Sequence, residues 1–134
     1  MSAHDLIVID GRVARYVAER NQGRIVPPYT ALGVERDGKI IAGAVFRNYT
    51  EIDVEVTVVG ECVSAFTPRF IRTIGRYVFN QMGCIRLSMV TTQPRVVALA
   101  LRLGAKVEGV KRNGFAKGED ATMLGVLRED WKFK

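Results

Sequence analysis

The chain reads as a mixed α/β (α+β) fold, a single domain over residues 1–134 with a mostly antiparallel central sheet of about seven strands flanked by helices. Three observations predict it. Two apolar runs, 29–36 and 39–47, are joined by Asp37-Gly38, a hairpin signal because both turn residues tolerate positive φ. A third run then alternates strictly, with Ile52, Val54, Val56 and Val58 facing one way and Asp53, Glu55 and Thr57 the other, so the three strands form an antiparallel meander. Between this run and the next strand, Cys84 to Val90, lies one long helix from Thr67 to Gly83, which returns the chain to the same sheet in parallel.

Each element has its own justification. Residues 5 to 9 form a short apolar strand, and Arg12 to Arg20 places Val13, Tyr16 and Val17 at helical spacing before Asn21-Gln22-Gly23 ends the helix. Pro27-Pro28 makes the following connection extended. In the crossover helix Thr67 is the cap, Pro68 suits the first position, and Phe70, Ile71, Ile74, Tyr77, Val78 and Met82 form the apolar stripe. Gly83 stops it. After the strand, Thr91-Thr92-Gln93-Pro94 starts a shorter helix whose Val96, Val97, Ala100, Leu101 and Leu103 pack inward until Gly104. Strands 106–113 and 120–127 close the chain around Asn113-Gly114 and Lys117-Gly118. Trp131 packs a final turn onto the sheet, and the last hairpin, at an edge, is where a homodimer would form.

Composition limits the function classes. With 48% hydrophobic and 25% charged residues, the chain has material for one buried core. It holds no apolar run near the roughly 20 residues of a spanning helix and no export signal at Met1-Ser2-Ala3-His4-Asp5, so a cytoplasmic protein without membrane contact is expected. Two cysteines, Cys62 and Cys84, are too few for a disulfide framework and read as reduced, buried thiols. A net charge of +6 suits anionic partners in general. The basic residues are spread rather than massed in a tail, and no zinc-ligand spacing or RNA-binding aromatic signature occurs, which argues against nucleic acid without excluding it. His4 is the sole histidine and sits at the terminus, where no catalytic role is expected.

One local pattern points to chemistry. Arg69 and Arg72 lie in the first turn of the crossover helix, where cations oppose the helix dipole, and this makes sense if an anion sits there. Asp53 and Glu55 sit on the face of the third meander strand opposite its apolar side and suit a general base as well as they suit a hydrated sheet face.

The order of these pieces resembles the GNAT superfamily of N-acetyltransferases, and within it the short proteins, common in phages and bacteria, that are related to ribosomal-protein and N-terminal amine acetyltransferases. The resemblance covers most of residues 29 to 133. Thr67-Pro68-Arg69-Phe70-Ile71-Arg72, Tyr77 through Arg86, Leu103-Gly104-Ala105, Glu108-Gly109 with Arg112, and Asp120 through Leu127 with Arg128-Glu129-Asp130-Trp131 carry it. It implies acetyl-CoA as co-substrate and a primary amine as acceptor, bound where the parallel pair of strands splays apart. It implies that the loop from Ser64 through Thr67 to Arg69, with Arg72, meets the pyrophosphate, that pantetheine runs along Val58 to Cys62, and that the N–H of Val58 or Val59 is the oxyanion donor. Glu55, or its neighbour Asp53, would be the base, and Gln93 would stand where the family has an asparagine. No metal is implied. Tyr29 and Tyr49 are further candidates for the acceptor wall.

The chain also departs from the pattern. Ala65-Phe66-Thr67-Pro68 replaces the glycine-rich loop, Ala105 an aromatic, and Leu124 the tyrosine that protonates the leaving thiolate. These departures keep open a second reading, a non-catalytic module of the same fold that binds a partner protein or nucleic acid.

Overall fold

A sheet of seven strands, in the order β1-β2-β3-β4-β5-β7-β6, organises the computed structural model, which describes residues 5–21 and 25–134. The expectations placed on His4 and on Gln22-Gly23 lie outside those residues. The strands are β1 (Leu6–Val8), β2 (Thr30–Arg36), β3 (Lys39–Arg47), β4 (Glu55–Gly60), β5 (Arg86–Thr91), β6 (Lys106–Ala116) and β7 (Glu119–Leu127). All neighbours are antiparallel except β4 and β5. At the β2–β3 turn Asp37 and Gly38 both have positive φ, 53° and 78°, as a two-residue primed turn requires.

Helix α1 (Gly11–Arg20) lies on one face of the sheet and starts at Asp10, whose carboxylate accepts from the Arg12 N–H. It approaches closely because Gly33 and Gly43 stand beneath it: a Cβ on either would lie 2.6 Å from a methyl of Val13 or Val17. The other face carries the main core. There Ala42, Ala44, Phe46, Val54 and Val56 of the meander meet Phe70, Ile71 and Ile74 of α2 (Pro68–Gly75) and Ala100 of α3 (Pro94–Arg102). A side chain as deeply buried as Phe70 contributes about 1.5–3 kcal/mol to that packing.

Thr67 caps α2 as its sequence indicates, its hydroxyl accepting from the Phe70 N–H. The helix does not continue regularly to Gly83, however. Arg76–Gln81 forms a π-helical stretch, and this wider turn brings Phe79, absent from the expected stripe, into the core against Trp131 at 5.6 Å between ring centroids. Trp131 is buried, as expected of a residue packing the final turn.

Four further expectations are corrected. Ile52 is 58% exposed because the pairing of β4 begins only at Glu55, and Leu101 is 45% exposed while Leu99 takes its place against the core. Asn113-Gly114 is an irregularity inside a longer β6, and the hairpin turns at Lys117-Gly118. Cys62 is exposed in the loop after β4, and only Cys84 is buried. No helix among the described residues is long and apolar enough to cross a membrane.

Candidate active site

The parallel pair creates the site. β4 and β5 are registered only at Glu55↔Ser88 and Val56↔Met89, although β4 runs on to Gly60 and β5 to Thr91. Beyond Val56 the strands part, leaving the β5-facing edge of β4 without a partner strand while its other edge stays paired to β3 as far as Gly60. Backbone groups on such an edge need acceptors and donors from elsewhere.

A cavity of about 170 Å³ occupies the opening, bounded by Thr57, Val58 and Val59 of β4, Met89 to Thr91 of β5, and Gln93 and Val96 at the start of α3. Glu55, Arg47, Arg20 and Lys111 bring charge to it. A second cavity of about 110 Å³ shares Gln93 and Val96 and extends past Gly60, Cys62 and Phe66 toward Arg95 and Arg102. The two adjoin at Gln93 and Val96, and the groove they outline follows the end of β4 at Val58, Val59 and Gly60. Phe66 lies so close beneath Gly60 that a Cβ there would meet its ring at 2.5 Å, so the aromatic fills space under the strand end.

The charges are arranged by the sheet. Arg47 and Glu55 are directly opposed across β3 and β4, and Arg47 Nη2 lies 3.5 Å from Glu55 Oε1. The Nε–H of Arg47 is buried without an acceptor among the described residues. Arg20 is held by Glu61 at 2.6 Å and stacks over the Tyr16 ring. In the adjoining loop the Cys62 thiol lies 3.0 Å from the Ser64 hydroxyl. That hydrogen bond, helped by the N–H groups of Ala65 and Ser64 and the Arg36 charge, holds Cys62 below the usual 9.0 of a thiol.

Comparison with known proteins bears on the fold. No protein-family profile and no curated protein matches the chain. Among solved structures, a dodecameric spermidine N-acetyltransferase from Vibrio cholerae superimposes with a TM-score of 0.72 at 14% identity, covering 96% of this chain and 96% of that one. A probable acetyltransferase superimposes with a TM-score of 0.74 at 14% identity, covering 97% and 96%. The chain has the GNAT fold. The seven mostly antiparallel strands, the single parallel pair and the flanking helices are those expected from the sequence.

Within this GNAT fold, the structure brings Glu55, Val58, Val59 and Gln93 together around the opening. Asp53 lies elsewhere. Its carboxylate accepts from the Ser88 hydroxyl at 2.8 Å and sits 3.4 Å from Arg86 Nε, and Arg86 continues to Glu108 at 2.6 Å, forming a polar chain across the sheet. Thr67 uses its hydroxyl in the helix cap, while the Ser64 carbonyl accepts from Arg36 at 3.4 Å. Arg69 donates to the Asp5 carbonyl at 3.3 Å, and the Arg72 guanidinium stands 5.6 Å from the centre of the Phe133 ring. Neither arginine lines the groove; both have partners on other sides of α2. Tyr49, expected as a wall candidate, donates instead to the Met82 carbonyl.

Arg47, Lys111, Arg95 and Arg102 were not singled out from sequence. A signal existed for two pairs of residues. Arg95 and Arg102 are seven apart, two helical turns, and so share a face of α3, and Arg47 falls opposite Glu55 once the meander register is counted. Lys111 carried no such signal, because its place depends on the irregular course of β6.

Proposed function

We propose that this protein is an N-acetyltransferase that moves acetyl from acetyl-CoA to a primary amine by direct attack. The single observation that carries the reading is the unpaired edge of β4 beyond Val56, beside a groove lined in part by two arginines of α3. Such an edge suits the amides of a pantetheine arm along Val58 to Cys62, added as another strand would be. Acetyltransferase names among the structural neighbours support the reading at the level of fold.

In this reading the neutral amine nitrogen attacks the thioester carbonyl carbon, a C–N bond forms, and the C–S bond breaks. Glu55 accepts the ammonium proton, directly or through water, and the N–H of Val58 or Val59 stabilises the oxyanion. Gln93 offers an amide at the mouth of the cleft. The leaving thiolate takes its proton from solvent, to which Glu55 passes the one it accepted, because Leu124 is an aliphatic core residue where a tyrosine would donate it. The diphosphate meets the backbone from Ser64 to Thr67 and the cations Arg95 and Arg102. Arg69 and Arg72 would join them only by leaving the Asp5 carbonyl and the Phe133 ring. A homodimer, if formed, uses the free edge of β6, where Val107 and Val110 are exposed.

Calorimetric titration with acetyl-CoA tests the proposal. Saturable binding is expected, weakened about tenfold or more by Arg95→Ala combined with Arg102→Ala. Absence of binding at millimolar acetyl-CoA would end it.

A further inference from the structure

The charges around the opening specify the acceptor further, on the reading just given. Arg20 is already neutralised by Glu61, which leaves Arg47, Lys111 and Glu55 as the charges that define the cavity. Two cations thus face one carboxylate. Arg47 holds Glu55 through a single long contact at 3.5 Å and keeps a buried Nε–H donor without an acceptor among the described residues. Nε is shut off from the cavity, but the Arg47 side chain is 25% exposed and lines it, and a planar guanidinium recognises carboxylates with two parallel hydrogen bonds. The partner that completes this pair carries an anion for Arg47 beside an amine for Glu55.

We infer that the acceptor is a small molecule whose primary amine stands next to a carboxylate, that is, the α-amino carboxylate of a free amino acid. The spacing supports adjacency: Arg47 and Glu55 are directly opposed residues of neighbouring strands, so the sites for the two ligand groups lie side by side. Lys111, entering from β6, adds a second positive charge on the same cavity. At about 170 Å³, below the roughly 300–1,000 Å³ of sites for drug-sized ligands, a cavity that also takes the acetyl group favours a small acceptor. A polyamine such as spermidine brings only like charge to Arg47 and Lys111, and is disfavoured.

The test compares transfer from acetyl-CoA to alanine, glutamate and glycine, each beside its α-amide, to dipeptides beginning with the same residues, and to spermidine, at equal concentrations of neutral amine. The expected result is a kcat/KM at least tenfold higher for one or more free amino acids than for the matching amide or dipeptide. That ratio is expected to fall toward one in Arg47→Gln while the KM for acetyl-CoA stays within about twofold. Because Arg47 is partly buried and its loss can unsettle the sheet, Lys111→Gln is measured in parallel and is expected to lower the ratio at least threefold. If amides, dipeptides or spermidine are acetylated as well as the free amino acids, or none of them is acetylated while acetyl-CoA binds, this inference is overturned and the transferase reading stands. If acetyl-CoA does not bind, both fall.

Discussion

Glu55 and Arg47 meet because directly opposed residues of an antiparallel ladder share a face, so a carboxylate placed on the wet side of β4 acquires a cation from the end of β3. Only Glu55 of the two candidate carboxylates reaches the cleft, since Asp53 is tied to Ser88 and Arg86. Glu55→Gln should therefore lower kcat by about 10²–10⁴ while leaving acetyl-CoA affinity within about twofold, read by steady-state kinetics and calorimetry. Asp53→Asn should act on thermal stability more than on kcat. The two thiols differ as sharply. Cys62 is exposed and its ionisation is favoured by Ser64, whereas burial pushes Cys84 up from the usual 9.0. Iodoacetamide at neutral pH should label Cys62 alone, with Cys84 reacting only on unfolding, as mass spectrometry would read. Saturating acetyl-CoA should slow the labelling, because Cys62 lines the groove.

At the scale of the element, the crossover helix decides how the cleft is built. Thr67 and Pro68 start it sharply at the end of the loop from β4. Thr67→Ala should cost about 0.5–2 kcal/mol in chemical denaturation, through loss of the bond to the Phe70 N–H. Further along, the π-helical stretch turns Phe79 toward Trp131, and Gly75 lies against the same indole, where a Cβ would come within 2.6 Å of Trp131 Cε2. Ala is the better helix former, yet Gly75→Ala should destabilise the protein by about 1–3 kcal/mol because the indole has to move. A neutral or stabilising effect in urea unfolding would show that the C-terminal turn is not packed there.

For the whole molecule, two ion pairs tie distant parts of the sheet. Arg36 grips Asp5 at 2.7 Å between β2 and the start of β1, and Arg86 of β5 reaches over Gly125 of β7 to Glu108 of β6. Hydrogen bonds from Arg36 hold Asp5 below the usual 3.8, and those from Arg86 hold Glu108 below the usual 4.5. A carboxyl depressed in the folded state stabilises the protein above its unfolded value, and that stabilisation is lost as pH falls through the lower, folded value. The midpoint of thermal unfolding should thus be level in this respect above about pH 5 and fall as pH drops below 4.5 and then 3.8. In Glu108→Gln the fall between pH 5 and pH 3 should be shallower, since that carboxyl no longer takes up a proton on unfolding.

The order of elements, the meander, the cap at Thr67 and the parallel return were determined by sequence alone, because turn chemistry, capping and periodicity act over a few residues. Glu55 was legible for the same reason, in the alternation of its strand, whereas Val58, Val59 and Gln93 followed only from the resemblance of the chain to a known family. What only the tertiary structure decided was the use of side chains by distant partners. Arg69 serves Asp5, Arg72 stands by Phe133 and Asp53 belongs to Ser88, while Arg95, Arg102, Arg47 and Lys111 arrive at the groove from three separate elements. Long, charged side chains choose their neighbours by distance in space, across separations that no local pattern in the chain records.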